Sequence, residues 1–253
     1  MEVHHHSHTD PTHGGTSRKK FTHYLWEFLM LFLAVFCGFL AENQREHMVE
    51  HQREKQYMQS LIADLKVDDQ TLDKHISDIA TQLSMMDSMI VILNDPAMIV
   101  KNGGLLYYFG RVSPRFSILS INNRTFEQLK NSGNFRLIRN LHTSDKIMAY
   151  YDKLQIIRQV EGIYASEFTE YKKVAAKIFD PVVFRTMEED NGSITRTTTN
   201  PALRTNNTDL LKELAMYAVY MNGSRRGLGE FEQELKKTVG ELISYLKTEY
   251  HLK

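Results

Sequence analysis

Apolar residues fill almost every position from Tyr24 to Ala41, then give way to a long polar run in which they return only at intervals of three and four. The first stretch, YLWEFLMLFLAVFCGFLA, is interrupted only by Glu27. As a helix, these 18 residues span about 27 Å, enough to cross the hydrocarbon core of a bilayer. They are apolar around the whole circumference, with Tyr24 and Trp26 at one rim, as an interfacial aromatic belt requires. From Phe39 to Asp95 there are fifty-seven residues with neither glycine nor proline. The pattern predicts one uninterrupted helix that leaves the span as a stalk and stops at Pro96.

Beyond residue 57 the stalk acquires a seam. Met58, Leu61, Leu65, Asp68, Leu72, Ile76, Ile79, Leu83, Met86, Ile90 and Leu93 follow one another by threes and fours, the spacing with which helices pack in a coiled coil. The steps around Asp68, Leu72 and Ile76 form a stutter, and Asp68 occupies a core position. A break in the seam or a polar contact is expected there.

The remainder reads as further helices. Residues 96–124 hold Gly103, Gly104, Gly110 and Pro114 among short apolar runs, a connector with turns and room for a short strand. Thr125 and Gln128 form a capping box for a short helix over 126–131, closed by Gly133. Ser144 is placed to cap a longer helix whose apolar face runs Ile147, Tyr151, Leu154, Ile157, Tyr164, Phe168, Tyr171, Val174 and Ile178. A polar loop over 190–207 precedes helical patterns at 209–221 and 228–249, with Gly223, Gly227 and Gly229 either separating two helices or bending one. The expected fold is mainly α. Its parts are a His-rich tail (1–20), a transmembrane helix (21–42), a coiled-coil-like stalk (43–95) and a helical domain (96–253).

Composition narrows the function. Lys plus Arg and Asp plus Glu are 31 each, for a formal net charge of zero, so the basic footprint needed for nucleic-acid binding is missing. The single cysteine, Cys37, lies inside the apolar stretch and excludes an intramolecular disulfide. Phe39 at the −3 position of the candidate cleavage site Phe39-Leu40-Ala41 opposes signal-peptidase processing, so the segment reads as an uncleaved anchor. Arg18, Lys19 and Lys20 form a compact basic cluster before the span, whereas Arg45, Arg53 and Lys55 are interleaved with glutamates after it. The reading is a cytoplasmic N-terminus and an exported C-terminal domain.

Few residues carry chemistry. His4, His5, His6, His8 and His13 concentrate imidazoles in the tail and make a candidate metal-binding group, set against a solvated polar tail. His47-Met48-Val49-Glu50-His51 matches the H-x-x-E-H pattern of inverted zinc peptidases, but its neighbours are nearly all polar and a solvated helix face explains it better. Glu27 is an intramembrane carboxylate close enough to the rim to reach headgroups. Ala34, Gly38 and Ala41 line one face and would let two spans approach closely. A nucleophile elbow, a phosphate loop, a dinucleotide fingerprint and paired cysteine motifs are all absent from the sequence. No catalytic residue, cofactor or small-molecule substrate is assigned, and the chain is read as a non-enzyme.

The opening MEVHHH, the block KKFTHYLWEFLMLFLAVFCGFLAENQREH, the run LKNSGNFRLIRN followed by IMAYYDKL, and the ending ELISYLKTEYHL together resemble a family of uncharacterised membrane proteins of Bacteroidota. The resemblance spans nearly the whole chain and implies a single-pass inner-membrane protein with a His-rich start. It brings no activity, ligand or catalytic residue. The expected function is that of an envelope interaction protein which self-associates, or binds an envelope partner, through the stalk seam. The alternative is a ligand-sensing helical domain with a pocket between the 144–178 helix and the C-terminal helices, signalling through Glu27 and the span.

Overall fold

The computed structural model describes residues 17–252, with side chains from residue 21. The described residues form seven α-helices and one 3-10 turn: α1 (Ser17–Leu93), α2 (Pro96–Lys101), α3 (Gly103–Val112), α4 (Arg124–Asn131), the turn Asn134–Leu137, α5 (Leu141–Ile178), α6 (Pro181–Thr186) and α7 (Thr208–Glu249). Strands are absent among them, and the only pairing outside helices is an isolated bridge between Glu188 and Ile194. The fold is mainly α.

The chain divides into two compact units, Met1–Glu54 and Lys55–Lys253. In the first unit the described residues belong to α1, and its apolar stretch is exposed throughout. The second unit begins inside the expected stalk, so residues 55–93 belong to the helical domain rather than to a separate rod. That redraws the boundary expected at residue 95.

Local sequence explains most helix ends. Asp95 caps α2 by accepting from the Ala97 N–H at 2.8 Å, with Pro96 at the first helical position. Asn207 caps α7 in the same way, accepting from Asp209 and Leu210. Asn140, and not Ser144, caps α5, which therefore starts at Leu141. The expected capping box at Thr125 is not used: α4 starts two residues before the expected 126, at Arg124, and Thr125 is buried inside its first turn. Gly133, at φ 69°, closes α4 in the left-handed region that glycine adopts without cost. The glycines at 223, 227 and 229 interrupt nothing, because α7 runs through all three.

Residues 58–93 of α1 pack with α5 and α7 as a three-helix bundle. Asp68 meets Tyr150 and Met89 meets Tyr171, an offset of 82 in both cases, so α1 and α5 run parallel. α7 is antiparallel to both: Lys236 pairs with Asp69 and Asp73 near one end, and Asn222 bonds Asp87 near the other. A parallel pair forces the intervening chain to travel back along the bundle. Helices α2 and α3, the irregular segment 115–123 and α4 form that return crossover.

Two apolar cores result. One gathers Met58, Leu61, Leu65, Leu72 and Ile79 with Ile147, Tyr150, Leu154, Leu235, Val239 and Leu242. The other gathers Met86, Met89 and Ile92 with Tyr164, Tyr171, Val174, Leu214 and Ala218, and takes in Tyr107 of α3. A layer of polar side chains is buried along the bundle, with Asp64, Asp68 and Glu232 beside the first core and Glu161 and Arg225 between residues of the two.

Candidate functional site

Every member of the stalk seam is covered by its own chain. Met58, Leu61, Leu65, Leu72, Ile79 and Met86 are buried in the two cores, and Ile76, Leu83 and Ile90 are partly buried against them. The seam does pack helix on helix as its spacing requires, but its partners are α5 and α7 rather than a second copy. Asp68 makes the expected polar contact: it accepts from the Asn122 backbone N–H at 2.7 Å and from the Tyr150 hydroxyl at 2.8 Å.

Asp68 is one of a set of buried polar side chains that hold the crossover. Asp64 accepts from the Thr125 N–H at 3.0 Å, from the Thr125 hydroxyl, and from the Asn122 amide at 2.8 Å. Glu161 accepts from the Leu119 N–H at 2.9 Å. Arg225 donates to the carbonyl oxygens of Ser113 (2.6 Å) and Arg115 (3.0 Å) and to the Tyr164 hydroxyl, with its guanidinium over the Tyr164 ring. His75 bonds Glu232 through Nδ1 at 2.8 Å and the Ser117 carbonyl through Nε2 at 2.7 Å. The physical reason is plain. A segment with no helix or sheet partners needs its buried N–H and C=O groups satisfied, and side chains from all three long helices do so.

This layer has the residue types of an active site without the room for one. The space left among His75, Phe116, Glu161, Arg225 and their neighbours is about 10 Å³, barely one water molecule. Both imidazole nitrogens of His75 are occupied, so the ring has no free position from which to act as a base. Its role is to hold the backbone. Burial alone would lower the His75 pKa, but the hydrogen bond and charge of Glu232, with the Ser117 carbonyl, raise it above the ordinary 6.5. Burial dominates at Asp68 and pushes its carboxyl up to about 6.

Larger hollows open on the outer side of α5. The first, about 410 Å³, lies between α4 and α5 over the stacked rings of Phe126 and Tyr151, 3.8 Å apart. Its rim carries both signs, Glu127 and Asp152 with Lys130 and Arg158. The second, about 430 Å³, lies between α5 and the α3 and α6 region over Phe168, Tyr171, Phe179 and Phe184. Both fall within the usual size of small-ligand sites. Neither of these two is walled by α7; both lie on the crossover side of α5.

The remaining sequence candidates are scattered. His47 and His51 lie exposed on α1, with His51 Nδ1 3.4 Å from Glu54, and no three potential metal ligands cluster among the described residues. His4, His5, His6, His8 and His13 lie outside the described residues. Ala34, Gly38 and Ala41 are exposed on α1, as is Glu27. One helix among the described residues is long and apolar enough to cross a membrane; its most apolar window has mean hydropathy 2.0 and is not buried at all.

Reading the sequence missed Asp64, His75, Glu161, Arg225 and Glu232. A signal was present: Arg225 and Glu232 interrupt the α7 face Leu228, Leu235, Val239, Leu242 and Leu246, as Asp68 interrupts the α1 seam. Comparison with known proteins adds no relative: no family model, no curated protein and no solved structure matches the chain.

Proposed function

We propose that this chain is a single-pass, membrane-anchored binding protein of the bacterial cell envelope, with a three-helix domain tethered by an N-terminal span. The observation that carries the reading is the exposure of the apolar stretch 24–41. Tyr24, Trp26, Leu31, Val35 and Phe39 are each more than 60% exposed, and a soluble protein does not leave so large a contiguous apolar surface in water. The resemblance to an uncharacterised Bacteroidota membrane family supports an inner-membrane location. The basic cluster Arg18–Lys20 supports a cytoplasmic N-terminus with the helical domain on the outer side. Self-association, in this reading, runs through Ala34, Gly38 and Ala41 of the span, because the seam is already consumed within the chain.

The test is fractionation. The full-length chain is expected to stay with membranes through alkaline carbonate extraction, and protease added to spheroplasts is expected to remove the C-terminal domain. Recovery of a soluble, compact monomer would overturn the proposal.

A second reading, that the domain senses a ligand, is favoured by the two hollows on α5. Both are built from the crossover, the part of the bundle held by side-chain contacts to backbone rather than by helix packing alone.

A further inference from the structure

The hollow against α3 and α6 has a one-sided charge. Its floor is aromatic: Phe179 and Phe184 stack at 5.1 Å, and Tyr171 is fixed by its hydroxyl donating to the Gly110 carbonyl at 3.1 Å. Gly110 is what admits the Phe179 ring, since a Cβ there would stand 2.5 Å from its Cζ. Above this floor stand Arg111, Arg115, Lys172 and Arg204, and no acidic residue lines the space.

Two of these cations already meet oxygen acceptors, and two have no ion pair or hydrogen bond among the described residues. Arg111 is bonded to the Phe184 carbonyl and the Glu188 carboxylate, and Arg204 donates to the Ala176 carbonyl at 2.9 Å. Lys172 is exposed, its ammonium 4.6 Å from the Phe168 ring centroid. Arg115 is exposed, and among the described residues its guanidinium has no ion pair or hydrogen bond. Two carboxylates of the α6 region are committed elsewhere: Glu188 to Arg111, and Asp180 to the Val182 N–H at the start of α6. An apolar floor beneath two available cations fits a molecule with an apolar body and one anionic head.

We propose that this hollow binds a small amphipathic anion, an alkyl or aryl chain carrying a single carboxylate. The chain lies on Phe168, Phe179 and Phe184, and the head is held by Arg115 and Lys172. The proposal rests on reading the domain as a ligand-binding module, and it does not depend on the membrane anchor, because every residue it uses lies between 110 and 204.

The test is isothermal titration of the full chain in phosphatidylcholine nanodiscs with decanoate, decanol and decyltrimethylammonium, with empty discs as the partition blank. Size-exclusion chromatography beforehand reports whether the chain enters the discs; a chain that stays outside is titrated free in solution. Decanoate is expected to saturate at one per chain, with decanol and the ammonium compound about tenfold weaker or worse. Arg115→Ala with Lys172→Ala is expected to weaken decanoate by at least about tenfold. Ala176→Trp, at an exposed position on the rim, is expected to abolish decanoate binding with an unchanged melting curve. Equal binding of decanol and decanoate, uptake no greater than in empty discs, or indifference to the double substitution would overturn the assignment.

Discussion

At the scale of single residues, the buried acid–base groups make the domain's stability depend on pH in two adjoining windows. The folded-state pKa of Asp68, about 6, lies above its ordinary 3.8, so the folded chain holds a proton that the unfolded chain has released. Its contribution is full below about pH 4 and is lost as pH rises through about 6, a change of about 3 kcal/mol. Asp68→Asn mimics the protonated form and should remove that slope; identical denaturation profiles for the two chains from pH 4 to 7 would refute the assignment. His75 has the same sign at higher pH. Its raised pKa makes its contribution complete below 6.5 and progressively lost above it. His75→Ala leaves Glu232, 0% exposed, without its cation. The cost should be about 3–5 kcal/mol, larger at pH 6 than at pH 8 when measured by chemical denaturation.

At the scale of elements, glycines separate helix physics from packing. Gly103 and Gly104 open α3 where another stretch of backbone crosses it: a Cβ at Gly103 would stand 2.1 Å from the Pro201 carbonyl oxygen, and one at Gly104 2.5 Å from that of Thr199. Backbone cannot yield as a side chain tip can, so Gly103→Ala should lower the melting temperature sharply. Gly162 and Gly223 are exposed in long helices with nothing within 4 Å. There, alanine should stabilise by about 0.5–1 kcal/mol each, and a loss of stability on thermal melting would show that these glycines serve another purpose. Leu72, fully buried in the seam, should cost about 2–5 kcal/mol when cut to alanine. The signature of an intermolecular seam would instead be a change in assembly size at unchanged stability.

At the scale of the whole molecule, both apolar cores and all of the buried polar layer fall within Lys55–Lys253. A chain beginning at residue 55 should therefore be soluble, helical by circular dichroism and cooperative on melting. Aggregation or a non-cooperative melt would mean that the first unit supplies part of the fold. Much of this organisation was legible in the chain. The exposed apolar helix, the long glycine-free continuation, the α5 face and the polar irregularity at Asp68 all follow from local periodicity, because a 3.6-residue repeat fixes which side chains share a face. The α5 start was misread, since Asn140 and Ser144 are both competent cap residues by type, and it is Asn140 that accepts from the His142 N–H.

Local sequence determined that Tyr24–Ala41 is apolar on all sides, that Met58–Leu93 needs a helical partner, and that cysteine pairs and a phosphate-loop motif are absent from the sequence. It could not name the partner. An apolar stripe at three-four spacing is satisfied equally by a second copy or by distant parts of the same chain, and burial is the same in either case. Tertiary structure chose α5 and α7, and in making α1 and α5 parallel it obliged a crossover to run back along the bundle. That irregular backbone then required buried partners, which is why Asp64, Asp68, Glu161, His75 and Arg225 sit inside the bundle. The hollows on α5 arise where that crossover and the α3–α6 region meet the helix. The walls of one come from residues as far apart as Gly110 and Arg204, a juxtaposition that no local pattern encodes.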